Sequence, residues 1–279
     1  MTKPAMQAPD TSQDPAADRG EVRVEQLTRR FAQRRMEVLA VDDVSMVAGR
    51  SEFVTILGPS GCGKSTLFHV IAGLLPPTAG EIWIHGERVT GQTGHVAYMP
   101  QRDNLLPWRS VLDNTILGLE VEGIRREEAR ERARELCVRF GLGDFVTALP
   151  RELSGGMRQR AAFIRTMLFP REVMLLDEPL GALDAQTRLL MQEWLLDVWE
   201  QMSKTVLFIT HDVDEAVFLS DRVYVMSARP GRFVREVAID LPRPRRAEMR
   251  LGAEFVALRN DLLAHIRTET LKSFQETRA

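Results

Sequence analysis

The sequence predicts an α/β fold in which short buried strands alternate with helices. The first observation is the run Phe53–Leu57, which is apolar, contains β-branched residues and stops at a Gly-Pro pair, as a buried strand does. A helical pattern over Ser65–Leu75 follows, so strand, glycine turn and helix form the first half of a βαβ unit. Two more short apolar runs, Val173–Leu176 and Thr205–Ile209, have helical segments between them. This alternation is typical of α/β proteins.

Composition and charge argue against several other classes. The chain has 279 residues, 44% of them hydrophobic, which is enough for one large or two small domains. A formal net charge of −2 provides no basic field for nucleic acid. Cys62 and Cys137 form no CxxC pair, so we expect a reducing cytosol rather than a disulfide or zinc scaffold. There is no apolar run of about 18 residues and no signal pattern, so work at a membrane would require a partner.

Changes in composition and periodicity divide the chain into parts. Residues 1–20 are rich in Pro, Ala, Asp, Ser and Gln and are predicted to be a disordered tail. Residues 21–245 form the main domain, interrupted at about 102–165 by a helical insertion that includes the amphipathic stretch Arg126–Phe140. Residues 246–279 show apolar residues at helical spacing and are predicted to be a C-terminal helical extension.

A phosphate-binding loop follows the first buried strand. Gly58–Ser65 reads GPSGCGKS and fits G-x-x-x-x-G-K-[ST]. The glycines let successive N–H groups point at phosphate oxygens, and the following helix adds its positive dipole end. Lys64 would place its charge at the β- and γ-phosphates, and the Ser65 hydroxyl would be a ligand of Mg²⁺. The predicted nucleotide-binding residues here are Gly58, Pro59, Ser60, Gly61, Cys62, Gly63, Lys64, Ser65 and Thr66.

The strand Val173–Leu176 ends in two carboxylates. Alternation along a strand predicts that Asp177 and Glu178 point to different sides. Asp177 could hold Mg²⁺ through water, while Glu178 could polarise an attacking water molecule. Phosphoryl transfer depends on positioning rather than covalent chemistry, so one carboxylate, one metal ion and one lysine suffice. Solvated acids are also common at strand ends, and it is the upstream loop that favours a functional pair.

Four more segments stand in a fixed order around these two motifs. Gln101 ends a predicted strand, LSGG fills Leu153–Gly156, GALD fills Gly181–Asp184, and His211 ends another predicted strand. Alone, Leu153–Gly156 would be a turn or a helix N-terminus. In this order, with the phosphate-binding loop and the acidic strand, the set resembles the ABC ATPase family over about Val22–Leu241.

This resemblance implies a fold and an activity. The fold is a P-loop NTPase core with an antiparallel β subdomain and an inserted α-helical subdomain. The activity is hydrolysis of ATP with Mg²⁺, in which Glu178, His211, Lys64 and Gln101 are the catalytic residues. Gln101 would sense the metal ion and the water, and His211 would hold the γ-phosphate and Glu178 in register. The metal ligands would be Ser65, Gln101 and Asp177.

The resemblance also implies that two copies of the chain share the nucleotide. They would pack head to tail, with ATP between the phosphate-binding loop of one copy and Ser154, Gly155 and Gly156 of the other. Asp184 would link the two sites. Phe31 resembles the aromatic residue on which adenine stacks, and a core phenylalanine is the alternative.

A narrower resemblance points to the nitrate, sulfonate and taurine importer branch, which also includes carriers of pyrimidine-type precursors. Gly58–Gly63, Asn104–Trp108 and Met226–Arg232 carry it. Met157 follows the signature glycines where the wider family commonly has glutamine, and methionine also occurs there in this branch. It implies integral membrane permease subunits, a solute-binding protein as an indirect partner, and a place at the cytoplasmic face of the inner membrane. Leu105–Trp108 is apolar and is predicted to receive the permease, with packing inside the helical insertion as the alternative.

Other classes fit less well. ABC ATPases of DNA repair or chromosome structure carry long coiled coils or zinc modules, and translation factors of the family usually carry two cassettes. A P-loop kinase would not need the signature, Asp184 or His211. An exporter subunit stays open, and the transported solute would be chosen by the partner subunits.

Overall fold

The computed structural model describes residues 22–33 and 36–276, so the tail predicted at 1–20 lies outside the described residues. The strands are β1 (Val22–Gln33), β2 (Met36–Ala48), β3 (Phe53–Leu57), β4 (Ala79–Ile84), β5 (Glu87–Arg88), β6 (Ala97–Met99), β7 (Val173–Asp177), β8 (Thr205–Thr210), β9 (Arg222–Met226) and β10 (Phe233–Ala238). The α-helices are α1 (Lys64–Ile71), α2 (Val111–Thr115), α3 (Leu117–Val121), α4 (Arg126–Arg139), α5 (Gly155–Leu168), α6 (Ala185–Met202), α7 (Val213–Leu219) and α8 (Ala253–Glu276).

The strands form two sheets. An antiparallel sheet has the order β2-β1-β4-β5, and a six-stranded sheet has the order β10-β9-β3-β8-β7-β6. Within the second sheet, β6, β7, β8, β3 and β9 run parallel, and β10 pairs antiparallel at the edge. Helices α2 to α5 lie in the chain between β6 and β7. These observations confirm the predicted α/β fold with an antiparallel part and inserted helices, while the domain boundaries stay predictions.

The six-stranded sheet is buried on both faces, because its central strands β3, β7 and β8 are mostly apolar and buried at every position. On β3, Phe53 and Leu57 belong to one hydrophobic cluster, while Val54 and Ile56 belong to the other. Successive side chains of a strand point to opposite faces, so a continuous apolar run serves two cores. On one face the sheet packs against helices α2 to α8, and on the other face it packs against α1 and the antiparallel sheet. The sheet therefore holds its strand ends rigidly.

Helix α1 is shorter than the sequence predicts. It ends at Ile71 rather than Leu75. Gly73 has φ +74°, and a Cβ there would come within 2.0 Å of the Gln92 carbonyl oxygen. The chain turns at this glycine to pass close to another backbone segment, which a helical periodicity does not reveal.

None of the helices within 22–33 and 36–276 combines the length and the apolar character that are needed to cross a bilayer. The C-terminal helix α8 is long, and it packs on the core through Phe255 and Leu262, which are both buried.

Candidate active site

Three adjacent parallel strands deliver the predicted site residues to one edge of the sheet. Strand β3 pairs with β8, and β8 pairs with β7, so Leu57, Thr210 and Asp177 end the three strands side by side. The phosphate-binding loop follows β3, Glu178 follows β7 and His211 follows β8. Ligands of open α/β sheets bind at the carboxyl ends of the strands, so this edge is where a substrate is expected.

The phosphate-binding loop is held by close backbone approaches. Gly63 caps α1 with φ +117°, and a Cβ there would come within 2.5 Å of the Ala40 carbonyl oxygen. Only glycine fits that approach and that backbone angle. Lys64 is 5% exposed, and its Nζ donates to the carbonyl oxygens of Gly58 at 2.8 Å and Pro59 at 2.9 Å. The ammonium group thus donates to two carbonyl oxygens of its own loop and has a weaker contact with Cys62 Sγ at 4.0 Å, so its charge is held inside the loop.

A pocket of about 250 Å³ opens above this loop. Eight predicted residues line it, whereas Gly58, Pro59 and Cys62 of the same loop do not. Burial raises the pKa of the Cys62 thiol, which favours the neutral form. Two residues that were not predicted, Ala40 and Arg229, complete the wall. The lining residues are Ala40, Ser60, Gly61, Gly63, Lys64, Ser65, Thr66, Gln101, Glu178 and Arg229.

Asp177 does not line the pocket, but it is hydrogen-bonded to Ser65, which does. The side chain is 2% exposed, and burial followed by the charge of Glu178 raises its pKa, against a hydrogen bond with Ser65 that lowers it. Its Oδ1 atom has no hydrogen-bond partner within the described residues. A buried carboxylate oxygen left without a protein partner is costly unless something else binds it. Burial and the neighbouring Asp177 carboxylate also raise the pKa of the Tyr98 phenol.

Glu178 is the point where three predicted residues meet. Gln101 Nε2 donates to Glu178 Oε2 at 3.2 Å, and His211 Nδ1 lies 3.4 Å from Glu178 Oε1. The Glu178 N–H donates to the Ile209 carbonyl oxygen at 3.0 Å, which ties the residue to β8. Its φ is +47°, in the left-handed region that non-glycine residues seldom adopt. Strand alternation therefore does not orient Glu178, because the residue lies beyond β7 in a different backbone conformation.

An oxygen-rich corner between Asp177 and Ser65 suits a hard divalent cation. A carboxylate and a hydroxyl are ligands that Mg²⁺ accepts, and this ion usually takes few protein ligands together with substrate phosphates. The unpartnered Asp177 Oδ1 is consistent with such a ligand. Gln101 donates its amide N–H to Glu178, which leaves the amide oxygen for a cation or water.

The signature residues lie elsewhere. Ser154 is exposed and caps α5, accepting the Met157 N–H at 3.2 Å. Gly155 and Gly156 form the first turn of α5, where backbone N–H groups have no acceptor inside the helix. Neither the serine nor the two glycines line the pocket.

Asp184 and Phe31 are also outside the pocket. Asp184 caps α6, and hydrogen bonds from Thr187 hold the pKa of its carboxyl below the ordinary value. Phe31 lies on β1 and is half-buried, so it belongs to neither hydrophobic core. The Arg29 guanidinium stacks on the Phe31 ring, 4.6 Å from its centroid. Their predicted roles in linking sites and stacking adenine stay predictions.

The segment after Gln101 is tied to helix α5. Asp103 Oδ2 accepts from Arg158 Nε at 3.0 Å. Arg165 donates to the carbonyl oxygens of Asn104 at 2.9 Å and Asp103 at 2.7 Å. Both arginines belong to the helix that begins at the signature, so the Gln101 side of the pocket and the signature helix are joined by three hydrogen bonds.

Comparison with known proteins agrees with this arrangement. A family model described as ABC transporter matches residues 41–181. A taurine import ATP-binding protein of Rhizobium johnstonii is 44% identical over 243 residues, covering 85% of this chain and 92% of the relative. A nitrate import ATP-binding protein of Synechocystis sp. is 45% identical over 216 residues, covering 77% and 81%. The solved structure of a dimeric ATP-binding cassette in a post-hydrolysis state with ADP and Pi is 29% identical, with a TM-score of 0.71 over 79% of this chain and all of that one.

Proposed function

The chain belongs to the ABC transporter family as an ATP-binding subunit with ATPase activity, and from that premise we propose that it energises an importer as a head-to-tail dimer. The observation that carries the proposal is the division of the motifs. Lys64, Ser65 and Glu178 share one pocket, while Ser154 stands exposed at a separate helix N-terminus.

Within the pocket, hydrolysis would proceed by positioning of water and charge. Glu178 is the base that polarises the water, and the hydrogen bond from Gln101 with the approach of His211 fixes the direction of its carboxylate. Ser65 and Asp177 would hold Mg²⁺, which when bound supplies neutralising charge at phosphate oxygens. Lys64 contributes a fixed positive charge from inside the loop, where low exposure reduces screening by water.

A second copy would complete the site. The first N–H groups of a helix and its positive dipole end attract anions, and α5 presents both at Ser154 and Gly155 to solvent. The dimeric solved relative, which its description gives as bound to ADP and Pi, supports a shared nucleotide. Closing two copies around ATP would place these donors opposite the pocket of the partner.

The membrane partner would bind beside Gln101. Trp108 is 73% exposed, whereas Leu105 is buried in the core. In the predicted apolar cluster, Trp108 is therefore available to a partner and Leu105 is not. An open groove of about 540 Å³ lies nearby, with Leu117, Val121 and Phe169 among its lining residues. Asp103 joins this region to the signature helix through Arg158. We infer that permease subunits bind here, and that the contacts with α5 transmit nucleotide occupancy to them.

The related importers indicate the solute class. Two relatives are described as taurine and nitrate import ATP-binding proteins, which supports an importer of small anions. We propose that the transported solute is a small anionic or heterocyclic compound of the nitrate, sulfonate, taurine or pyrimidine-precursor kind. The solute would be delivered by a solute-binding protein, and this subunit would act at the cytoplasmic face of the plasma membrane.

Light scattering of a hydrolysis-blocked chain tests the dimer. Glu178→Gln should bind Mg-ATP and form a dimer of twice the mass of one chain. The dimer should persist because the bound ATP is not hydrolysed. Adding Ser154→Arg should keep the chain monomeric, since the larger side chain blocks the approach of the partner nucleotide. ATP binding to the monomer should stay largely intact.

Thr268→Arg is the matched control, because it adds the same side chain at an exposed position of α8. Dimerisation that survives Ser154→Arg would remove Ser154 from the site. A Glu178→Gln chain that stays monomeric with Mg-ATP, even beside permease subunits, would overturn the shared-nucleotide proposal.

A further inference from the structure

The loop between β9 and β10, residues 227–232, lies against the phosphate-binding loop. Gly231 donates its N–H to the Ala40 carbonyl oxygen at 3.1 Å and accepts the Asp42 N–H at 3.0 Å. A Cβ at Gly231 would come within 2.4 Å of the Cys62 carbonyl oxygen, so the two loops touch through their backbones. This contact fixes residues 227–232 at the rim of the nucleotide pocket.

Arg229 extends from this loop into the pocket wall. Its Nη2 donates to the Gly61 carbonyl oxygen at 3.0 Å, and the side chain lines the pocket together with Lys64. A guanidinium has five N–H donors, so one bond to Gly61 leaves four for a ligand. The ammonium group of Lys64 already spends two of its three donors on loop carbonyls. Arg229 therefore adds a second positive charge with free donors at the same pocket.

The C-terminal helix α8 contacts the backbone next to Arg229. Glu269 of α8 is 5% exposed, and its Oε2 accepts the Ala228 N–H at 3.1 Å. Its other oxygen accepts from Lys272 Nζ at 2.6 Å. A buried carboxylate that accepts a backbone N–H from the residue next to Arg229 restricts where the guanidinium can reach.

We propose that Arg229 binds the phosphate chain of the nucleotide, and that Glu269 is a positioning residue that holds the 227–232 loop over the phosphate-binding loop. This inference rests on the proposed nucleotide site. It adds a contact from outside the six sequence motifs, and it gives the C-terminal helix a part in nucleotide affinity.

Titration calorimetry with ADP tests the arginine. Arg229→Ala should weaken ADP binding about tenfold or more, as expected for loss of a charge-assisted hydrogen bond. Arg229→Lys should restore part of the affinity because it keeps the charge. Arg232→Ala is the matched control, since Arg232 stands in the same loop, pairs with Asp42 and does not line the pocket. In turnover assays with ATP, the change should appear in KM rather than kcat.

A double-mutant cycle tests the positioning role. Glu269→Ala should weaken ADP binding, as Arg229→Ala does. The double variant should bind ADP about as weakly as Arg229→Ala alone, because both replacements remove the same contact between Arg229 and the nucleotide. Glu269→Gln, which keeps an acceptor oxygen, should lie close to wild type. Lys272→Ala should change affinity little, because Lys272 Nζ contacts Oε1 of Glu269, whereas Oε2 accepts the Ala228 N–H.

Unchanged ADP affinity in Arg229→Ala would overturn the proposal, and so would equal losses in Arg229→Ala and Arg232→Ala. An additive effect of Glu269→Ala would remove the positioning role. If Arg229→Ala weakens adenosine binding as much as ADP binding, the contact is not with phosphate. Lys64→Ala distinguishes failure of the Arg229 proposal from failure of the proposed nucleotide site. If Lys64→Ala also binds ADP as tightly as wild type, the pocket is not the nucleotide site.

Discussion

Two helix N-termini in this molecule carry glycine-containing motifs, and their surroundings are opposite. At α1, Lys64 is buried and its donors are directed to the carbonyls of its own loop. At α5, Ser154 and Gly155 are exposed, and the only side-chain cap is the bond from the Met157 N–H. The first terminus forms a pocket with groups from β3, β7 and β8, while the second faces solvent.

This difference shows which part of the site a single chain can complete and which part needs a second molecule. A pocket at strand ends is assembled by the sheet, so charge and a base can be held there without a partner. Helix donors that face outward are available to an anion carried by another molecule. The residues on the enclosed side should therefore control hydrolysis and affinity in the isolated chain, and those on the exposed sides should control assembly.

The largest effect should come from the base on the enclosed side. Glu178→Gln keeps the shape of the side chain and removes the charge that we propose polarises water, so the hydrolysis rate should fall about 10²- to 10⁴-fold. ATP affinity should stay close to wild type, and phosphate release measures the rate. Glu135→Gln, at an exposed position on α4, is the control. Near wild-type hydrolysis by Glu178→Gln would show that the base is another residue.

A smaller loss is expected in nucleotide affinity when Lys64 is replaced by alanine. This variant lacks the charge that we propose contacts the phosphates. Charge-assisted hydrogen bonds contribute about 1.5–3 kcal/mol, or roughly tenfold to hundredfold in Kd. Calorimetry with ADP measures this, and circular dichroism checks that the chain is folded. Affinity equal to wild type would break the assignment of the enclosed terminus as a phosphate site.

The smallest effect on the isolated chain should appear at the predicted permease surface. Trp108→Ser should change the free energy of unfolding by no more than about 0.5 kcal/mol and leave basal ATPase unchanged, because the ring is exposed. Leu105→Ser, three residues away, should cost about 2–5 kcal/mol because Leu105 is in the core. Chemical denaturation measures both.

A double replacement at Leu106 and Trp108 distinguishes binding of the permease from packing inside the helical region. Leu106 and Trp108 both replaced by serine should weaken copurification with the permease subunits and uncouple transport from hydrolysis. If these two replacements instead reduce the solubility or the basal ATPase of the isolated chain, Leu106 and Trp108 belong to the packing of the helical region.

Several parts of the site followed from local pattern. The strand at Phe53–Leu57 and the acidic strand that ends at Asp177 are short apolar runs with clear stops, and both were found where the sequence predicts them. The grouping of Gln101, Glu178 and His211 agrees with the motif order, because each follows a neighbouring strand of one sheet. The cluster Leu105–Trp108, which the sequence presents as one apolar segment, has Leu105 in the core and Trp108 exposed. The burial of each side chain depends on the tertiary structure and cannot be read from the apolar pattern alone.

The sequence by itself determined the strand–loop–helix elements, the phosphate-binding chemistry and the family, since these depend on residues close together in the chain. Only the tertiary structure decided how Glu178 is oriented, which depends on a left-handed backbone held by Ile209. It also decided that Arg229 reaches the pocket, through a contact with Gly61 across 168 positions and a support from Glu269. Such long-range contacts arise from the packing of β9 beside β3 and of α8 on the core, and no local periodicity encodes them.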